Sequence, residues 1–189
     1  LMFVGHVSID QVENPKGVRV QPGGAALYAA MAAKSLLKSV TLVSAVGKDY
    51  KFTDVLGFFD SKHVKAFNIP SSTFNIRYDQ RGEAQYLKAA VGAGSKIGAS
   101  FVPTKLLAAN SIVHLSPMAP TKTVKIFEKI RKTSPKTKIS INTWINYIRQ
   151  SRRNRAILKD LALKADFFIL NDTEAKALAQ TDSISTVLR

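Results

Sequence analysis

The sequence predicts an α/β fold: a mainly parallel β-sheet flanked by helices, with a small antiparallel β lid. From about residue 103 onward, short apolar strands alternate with helices, which is the order of βαβ units in a parallel sheet. An alanine-rich helix follows the paired glycines Gly23 and Gly24 and leads into an apolar strand. Residues 74–79 instead alternate between apolar and polar side chains, and a polar turn follows them, which indicates an antiparallel hairpin.

Composition places the chain among ordinary globular proteins. It has 189 residues, of which 46% are hydrophobic and 22% are charged. No apolar run approaches the roughly 18 residues that a membrane span needs, and the strand-like N-terminus does not resemble a signal peptide. The absence of cysteine excludes a disulfide framework and a thiolate metal site. We therefore expect a cytoplasmic protein without membrane association, and we propose no residue as a direct metal ligand.

The formal net charge of +15 is the most unusual property of the composition. Residues 122–164 alone carry 13 lysine and arginine residues and two acidic residues. Such a surface attracts polyanions. However, the basic residues are spread along helices with regular apolar positions, and no nucleic-acid-binding motif accompanies them. We therefore interpret them as solvated helix faces and do not expect nucleic acid as a partner.

The first strand is expected over residues 1–12, an apolar run that ends with the polar residues Ser8 and Asp10. Residues 14–17 have the composition of a turn, and residues 18–20 favour a short strand. Two polar side chains at the end of a strand are typical of a ligand-binding edge in an α/β sheet.

A glycine pair opens the first helix, which is expected over residues 24–38. Pro22 is expected to end the preceding strand, because proline cannot donate to a central sheet ladder. Gly23 and Gly24 adopt backbone angles that are closed to other residues. The amides of the first helical turn suit an anion or a hydroxyl-rich ligand. The pair alone favours a simple turn of the chain into the helix, and it is the nearby Ser8 and Asp10 that favour a ligand site.

The remaining elements follow from the same patterns. Strands are expected at residues 40–46, 64–69, 74–79, 83–89, 111–115, 138–142 and 166–170, and helices at 51–62, 103–109, 121–132, 151–164, from 173 and from 183. Ligands bind beyond the carboxyl ends of such strands. The polar residues that mark these ends are Ser8, Asp10, Asp49, Ser116, Asn142 and Asn171.

The segment from Asn171 to Glu174 follows a late apolar strand. Its spacing predicts a capping box, in which Asn171 caps a helix and Glu174 returns to the cap amide. The same residues can cap the helix and also help to bind a phosphate group that the start of the helix faces. A role in ligand binding therefore stays open.

These motifs together resemble the ribokinase-like (PfkB) carbohydrate kinases. The resemblance rests on the strand ending G-x-x-S-I-D at Asp10, the P-G-G turn before the alanine-rich helix, and the strand V-T-L-V-S-A-V-G-K-D. It implies that Asp10 accepts hydrogen bonds from substrate hydroxyls and that Gly23 and Gly24 bring the backbone close to the substrate. Ser8, Ser116 and Asn142 are further substrate-binding candidates. Tyr28 is also assigned to this site, although many sugar kinases of the family carry asparagine there.

The resemblance also implies the cofactors and the assembly. The cofactors are ATP and Mg²⁺, with Asn171 and Glu174 associated with the nucleotide and the metal. Residues 13–21 and 64–90 are expected as the lid over a small-molecule sugar or nucleoside, and the lid is expected to form a homodimer. The family's catalytic motif is G-A-G-D, but the only comparable segment here ends in Ser95 and directly follows the hairpin. We interpret this segment as a flexible return loop.

The function implied is an ATP-dependent phosphotransferase that transfers the γ-phosphoryl group to a sugar or nucleoside hydroxyl. Residues 1–189 are expected to be an incomplete ribokinase-like domain that lacks the G-A-G-D segment and the C-terminal nucleotide-binding part. No catalytic residue is assigned, and the chain alone is expected to be inactive. The alternative is a non-catalytic sugar- or nucleoside-binding protein derived from such a kinase.

Overall fold

The structure, a computed structural model, describes residues 1–108 and 112–187, except for the side chain of Ser61. The chain divides into two compact units. One unit is Met2–Ile97, and the other is Gly98–Arg189 together with Leu1.

The first unit contains two sheets. Its elements are β1 (Met2–Val4), β2 (Ser8–Asn14), β3 (Gly17–Gly23), α1 (Ala25–Leu36), β4 (Thr41–Gly47), α2 (Thr53–Leu56), β5 (Val64–Phe67), β6 (Ser72–Tyr78) and β7 (Ala84–Ala90). Strand β4 pairs in parallel with both β1 and β5. A separate four-stranded sheet has the order β3-β2-β6-β7, in which only the β2–β6 pair is parallel. The predicted α/β class with a small, mainly antiparallel sheet is confirmed.

The expected first strand over residues 1–12 is wrong, because the chain changes sheets at residues 5–7. Gly5 donates its amide hydrogen to Val43 as the pairing of β1 with β4 ends. From Ser8 onward the chain pairs with β3 and β6 instead. Asp10 therefore lies within the mixed sheet and not at the end of a parallel strand. The sequence did not show this change because the residues on both sides of it are strand-like.

The proline at position 22 lies inside a strand, contrary to expectation. Strand β3 extends through Gly23 and includes Pro22. It is an edge strand of the mixed sheet, and an edge is where a sheet tolerates a residue without an amide hydrogen.

The lid expected from the sequence differs in extent from the mixed sheet. The hairpin of β6 and β7 is confirmed, and Asp79 stabilises its turn by accepting hydrogen bonds from the amides of Arg81 and Glu83. Strand β5, which the expected segment 64–90 included, pairs with β4 and belongs to the other sheet. The return loop forms a 3₁₀ helix at Gly92–Lys96 with Ala93 and Gly94 buried, so it is more ordered than expected.

Small side chains allow α1 to pack closely on the parallel strands of the first unit. Its buried face consists of Ala26, Leu27 and Ala30, and the helix contacts β1 and β4. The six residues of β4 from Leu42 to Gly47 are all apolar or small, and all of them are buried. Because alanine favours helix and adds little bulk, the sequence forms a thin helix whose backbone lies close to the sheet.

The second unit repeats the alternation of strand and helix. Its elements are α3 (Thr104–Leu107), β8 (Ile112–Leu115), α4 (Pro120–Thr133), β9 (Lys138–Asn142), α5 (Ile145–Gln150), α6 (Arg152–Lys164), β10 (Phe167–Ile169), α7 (Asp172–Ala179) and α8 (Ile184–Val187). Strand β9 pairs in parallel with both β8 and β10. Only α5 was not predicted, while Ala109 and Ser111 of the predicted elements lie outside the described residues. No helix in the described ranges is long and apolar enough to cross a membrane.

The carboxylate of Asp166 joins three parts of the second unit at the start of β10. It accepts hydrogen bonds from the Arg131 guanidinium at 2.6 Å, the Lys138 ammonium at 2.8 Å and the Ile139 amide at 2.9 Å. Burial acts to raise the pKa of Asp166, but these donors outweigh it and hold the pKa well below its ordinary value of 3.8. The ionised carboxylate therefore stabilises the unit.

We expect Asp166→Asn to lower the free energy of unfolding by about 1–3 kcal/mol, because charge-assisted hydrogen bonds are lost. The folded pKa is depressed, so this contribution is fully present above the ordinary pKa and disappears as pH falls through the folded value. Urea unfolding at pH 7 and at pH 3 measures the difference. The control is Asp160→Asn, which removes an exposed ion pair with Lys164 and is expected to change stability by less than about 0.5 kcal/mol. Equal stability of the two variants at pH 7 would contradict this role.

Candidate functional site

A carboxylate and a glycine share one space in the first unit. In the antiparallel pairing of β2 with β3, Ser8 lies opposite Gly23 and Asp10 lies opposite Gln21. These four residues therefore share one face of the sheet. A Cβ atom at Gly23 would overlap the carboxyl group of Asp10, which is only 5% exposed. Position 23 accepts no side chain because the Asp10 carboxylate already occupies that volume.

The environment of Asp10 leaves it with unused capacity to accept hydrogen bonds. The hydroxyl of Ser8 donates to Oδ1 of Asp10 at 2.7 Å. Burial raises the pKa of Asp10, and the hydrogen bond from Ser8 partly opposes that increase. A carboxylate accepts several hydrogen bonds through its two oxygens, so this group favours a ligand that donates to it.

Gly24 connects β3 to α1 and lies against the backbone of His6. Its φ of 104° lies in the region that favours glycine, and a Cβ atom would overlap the backbone carbonyl of His6. As the residue before α1, it provides no side-chain cap to the helix. The first-turn amides of α1 therefore receive no hydrogen bond from an N-cap side chain.

Tyr28 spans from α1 back to β3. Its hydroxyl donates to the carbonyl of Pro22 at 2.7 Å and accepts from Nε2 of Gln21 at 3.1 Å. Burial raises the pKa of Tyr28; the hydrogen bond from Gln21 opposes the increase, and the charge of Asp10 adds to it. The side chain is 48% exposed, so Tyr28 presents part of its ring while its hydroxyl is fixed near Asp10.

Sequence reasoning missed Tyr50, which belongs to the same group of residues. Tyr50 is 6% exposed, and its buried hydroxyl has no hydrogen-bond partner among the residues that the structure describes. Burial, followed by the charges of Asp10 and Tyr28, raises the pKa of Tyr50 to about 12. The signal available in the sequence was its position directly after the polar end of β4, at Asp49.

Asp49 itself has a structural role in the next turn. Its Oδ1 accepts hydrogen bonds from the amide of Ser71 at 2.8 Å and from the Ser71 hydroxyl at 2.7 Å. That hydroxyl also accepts from the amide of Gly47 at 2.9 Å. Burial acts to raise the pKa of Asp49, but the hydrogen bonds from Ser71 outweigh it and lower the pKa. Asp49 therefore connects the end of β4 to the chain that enters β6.

In the second unit, polar residues gather where β8 and β9 end. Ser116 follows β8, Asn142 ends β9, and Thr143 comes next. The hydroxyls of Ser116 and Thr143 are buried and have no hydrogen-bond partner within residues 1–108 and 112–187, whereas the side chain of Asn142 interacts with His114. Because β8 and β9 are parallel neighbours, their ends lie at the same edge. Ser116 and Asn142 were predicted as site residues, and Thr143 was not.

Asn171 and Glu174 form the predicted capping box at the start of α7. Asn171 accepts from the amide of Glu174 at 2.9 Å, and Glu174 accepts from the amide of Asn171 at 3.1 Å. Burial raises the pKa of Glu174, and hydrogen bonds from the backbone amides of Asn171 and Ile145 partly oppose that increase. No group of three metal-ligating side chains occurs in the described part of the chain. These two residues alone do not fit a complete Mg²⁺ site, and their association with nucleotide stays a prediction.

The profile of the pfkB family carbohydrate kinases matches residues 1–189, the whole chain. The chain belongs to the pfkB family. This confirms the family resemblance that the Asp10 and Gly23–Gly24 motifs indicated.

Known members of the pfkB family and structures of the same fold extend beyond this chain. It is 24% identical to the cytidine kinase of Thermococcus kodakarensis over 193 residues, covering 100% of this chain and 67% of that protein. The Halothermothrix orenii fructokinase structure has a TM-score of 0.80 at 14% identity, covering 99% of this chain and 73% of its own. The Burkholderia thailandensis nucleoside kinase in complex with inosine has a TM-score of 0.76 at 16% identity, covering 98% and 66%. At these identities the solved structures show the shared pfkB fold alone.

Replacing Gly23 tests the shared space in this pfkB chain. We expect Gly23→Ala to lower the free energy of unfolding by about 1–3 kcal/mol, since its methyl group must displace the Asp10 carboxyl group. Urea unfolding provides the measurement. The matched control is Gly98→Ala, where the backbone is extended and nothing lies within 4 Å of an added Cβ atom. A Gly23→Ala variant as stable as the Gly98→Ala variant would show that Asp10 does not occupy this position.

Proposed function

We propose that this chain binds the acceptor substrate of an ATP-dependent phosphotransferase, which transfers the γ-phosphoryl group to a hydroxyl of a sugar or nucleoside. The observation that carries the proposal is the buried Asp10 carboxylate held against Gly23 in a chain of the pfkB family. A hydroxyl of the substrate, other than the one that receives the phosphoryl group, donates to Asp10, while the two glycines let the substrate ring approach the backbone.

The chemistry of Asp10 is binding and orientation. Ser8 holds Oδ1 from one side, so the carboxylate has a fixed direction before a ligand arrives. Holding the substrate in a fixed orientation through this hydrogen bond reduces the entropy that the transfer step must overcome. Asp10 is not assigned as the base that removes the hydroxyl proton, and we assign that role to no residue of this chain.

Both sugars and nucleosides are compatible with the site. One relative is a cytidine kinase, one solved neighbour is a nucleoside kinase in complex with inosine, and another is a fructokinase. Tyr28 occupies a position where many sugar kinases carry an amide, and its half-exposed ring offers a flat apolar surface. Such a surface suits the ring of a sugar or a base.

The phosphoryl donor in this proposal is ATP with Mg²⁺, as is typical of the family. Bound ATP supplies the γ-phosphoryl group, and Mg²⁺ neutralises charge on the phosphates. The side chains of Asn171 and Glu174 already bind each other's backbone amides, so we assign no transfer step to them. The buried, unpaired hydroxyls of Ser116 and Thr143 support the proposal that a polar ligand contacts the carboxyl edge of β8 and β9.

Exposed apolar residues on the mixed sheet support a homodimer through the lid. Val18 and Val20 on β3 are 62% and 57% exposed, and Tyr86 and Leu87 on β7 are each 47% exposed. Apolar side chains on two edge strands favour contact with a second copy of the same sheet.

A second candidate function is binding of a sugar or nucleoside without catalysis. The contacts proposed at Asp10 and Gly23 need no catalytic base, so the same site would serve a protein that binds the substrate without transferring a phosphoryl group. Formation of a phosphorylated product from ATP and a bound acceptor distinguishes a transferase from a binding protein.

The direct test of the acceptor site is Asp10→Asn. We expect it to weaken binding of the acceptor about 10- to 150-fold, since a charge-assisted hydrogen bond contributes about 1.5–3 kcal/mol. Calorimetric titration with cytidine, inosine and fructose provides the affinities. The control is Asp60→Asn, an exposed carboxylate of the same unit paired with Lys62, for which we expect unchanged affinity. Equal affinity of the Asp10→Asn variant and the unaltered chain would refute the proposed site.

Acceptor affinity should also depend on pH through Asp10. The ionised carboxylate accepts the hydrogen bond, so affinity is constant above the pKa of Asp10 and falls as pH decreases through it. Because burial raises that pKa, the decrease begins at a higher pH than for a carboxyl group with the ordinary value of 3.8. Titrations across the acidic range test this, and Asp10→Asn should remove the dependence. A dependence that persists in the variant would assign it to another group.

A further inference from the structure

The buried hydroxyl of Tyr50 is an unexplained feature of the first unit. Its oxygen is inaccessible to solvent and has no hydrogen-bond partner among the described residues. A buried polar group without a partner destabilises the folded chain, so such a group usually has a functional explanation. Removing this oxygen should therefore not destabilise the protein.

The ring of Tyr50 is held in place by its surroundings. The Tyr50 amide donates to the carbonyl of Gly47 at 3.2 Å, and the ring makes an edge contact with Phe52 at 5.8 Å between centroids. The side chain is 6% exposed. The position of the hydroxyl is thus fixed by packing and not by a hydrogen bond of its own.

Asp10 and Tyr28 are the charged and titratable neighbours that act on the Tyr50 hydroxyl. Tyr50 follows Asp49, whose carboxylate binds Ser71, and the next residue, Ser72, pairs with Ser8 beside Asp10. The Tyr50 hydroxyl has no hydrogen-bond partner among the described residues, and the charge of Asp10 contributes to its raised pKa. An unpaired donor near a buried carboxylate favours a ligand group that both accepts and donates a hydrogen bond. An alcohol hydroxyl accepts one hydrogen bond and donates another.

We propose that Tyr50 is a substrate-binding residue. Its hydroxyl donates a hydrogen bond to the same substrate hydroxyl that donates one to Asp10. This inference rests on the proposed function and specifies the chemical class of the ligand. The ligand is a neutral polyol, either a sugar or a nucleoside. A phosphate or carboxylate group at this position is excluded, because it would have no hydrogen to donate to Asp10 and would carry like charge.

The bridge implies a small opening of the site when the acceptor binds. Asp10 and Tyr50 are both almost completely buried, so an acceptor reaches them only when the side chains that cover them move apart. The Tyr50 phenol stays protonated at neutral pH because its pKa is raised to about 12, so it is a donor throughout the physiological range.

The test is Tyr50→Phe, measured by calorimetric titration with cytidine, or with fructose if cytidine does not bind. We expect affinity to fall about tenfold, the loss of one hydrogen bond, while the melting temperature stays equal or rises. The control is Tyr147→Phe, a tyrosine of the second unit, for which affinity should not change. A structural role for the Tyr50 hydroxyl predicts the opposite result for stability, a lower melting temperature.

The double variant Asp10→Asn/Tyr50→Phe separates a shared ligand hydroxyl from two independent effects. If both residues hold one hydroxyl, the double variant loses less affinity than the product of the two single losses. Unchanged affinity of Tyr50→Phe, or a lower melting temperature with fully multiplicative losses, would overturn the inference. A loss with Asp10→Asn but none with Tyr50→Phe would overturn only this inference, whereas no loss with either variant would also refute the proposed function.

Discussion

The overlap between the Asp10 carboxylate and the side-chain space of Gly23 is the constraint on which the candidate site depends. It requires glycine at position 23 and fixes the carboxylate between β2 and β3. The strand change at residues 5–7 creates this pairing, because it takes the chain out of the parallel strands and into the mixed sheet. Gly24 then allows the chain to turn into α1 directly behind the carboxylate. The buried carboxylate thus explains the glycine at position 23, whereas the backbone carbonyl of His6 explains the glycine at position 24.

The polar groups around this carboxylate differ in how much of their hydrogen-bonding capacity is used. Ser8 satisfies one oxygen of Asp10, Tyr28 fixes its own hydroxyl on β3, and Tyr50 has a buried hydroxyl without a partner. Burial makes ionised Asp10 less favourable in the empty site than in water. A ligand hydroxyl that donates to Asp10 offsets this cost. The stability that the chain gives up at Asp10 and Tyr50 is therefore consistent with a binding site and is not explained by folding alone.

The sequence predicted the parts of the site that depend on chain geometry. Asp10, Gly23 and Gly24 could be found because a carboxylate beside a glycine pair is a local pattern, and the Asn171–Glu174 capping box follows from spacing. Tyr50 was missed because its position after Asp49 marks it only as near a strand end, and nothing in the sequence shows whether its hydroxyl is buried or paired. The break between β1 and β2 was missed because both halves are strand-like and only residues 5–7 separate them. Strand β5 was placed with the lid because pairing partners distant in sequence are not visible in a local pattern.

The central claim is that the acceptor binds through a hydroxyl at Asp10 beside the glycine pair. A crystal structure of the chain grown with cytidine or fructose tests it most directly. The account predicts a ligand hydroxyl within hydrogen-bond distance of the Asp10 carboxylate, with the ligand ring against Gly23 and Gly24. A ligand bound elsewhere, or an Asp10 carboxylate turned away from Gly23, would contradict it.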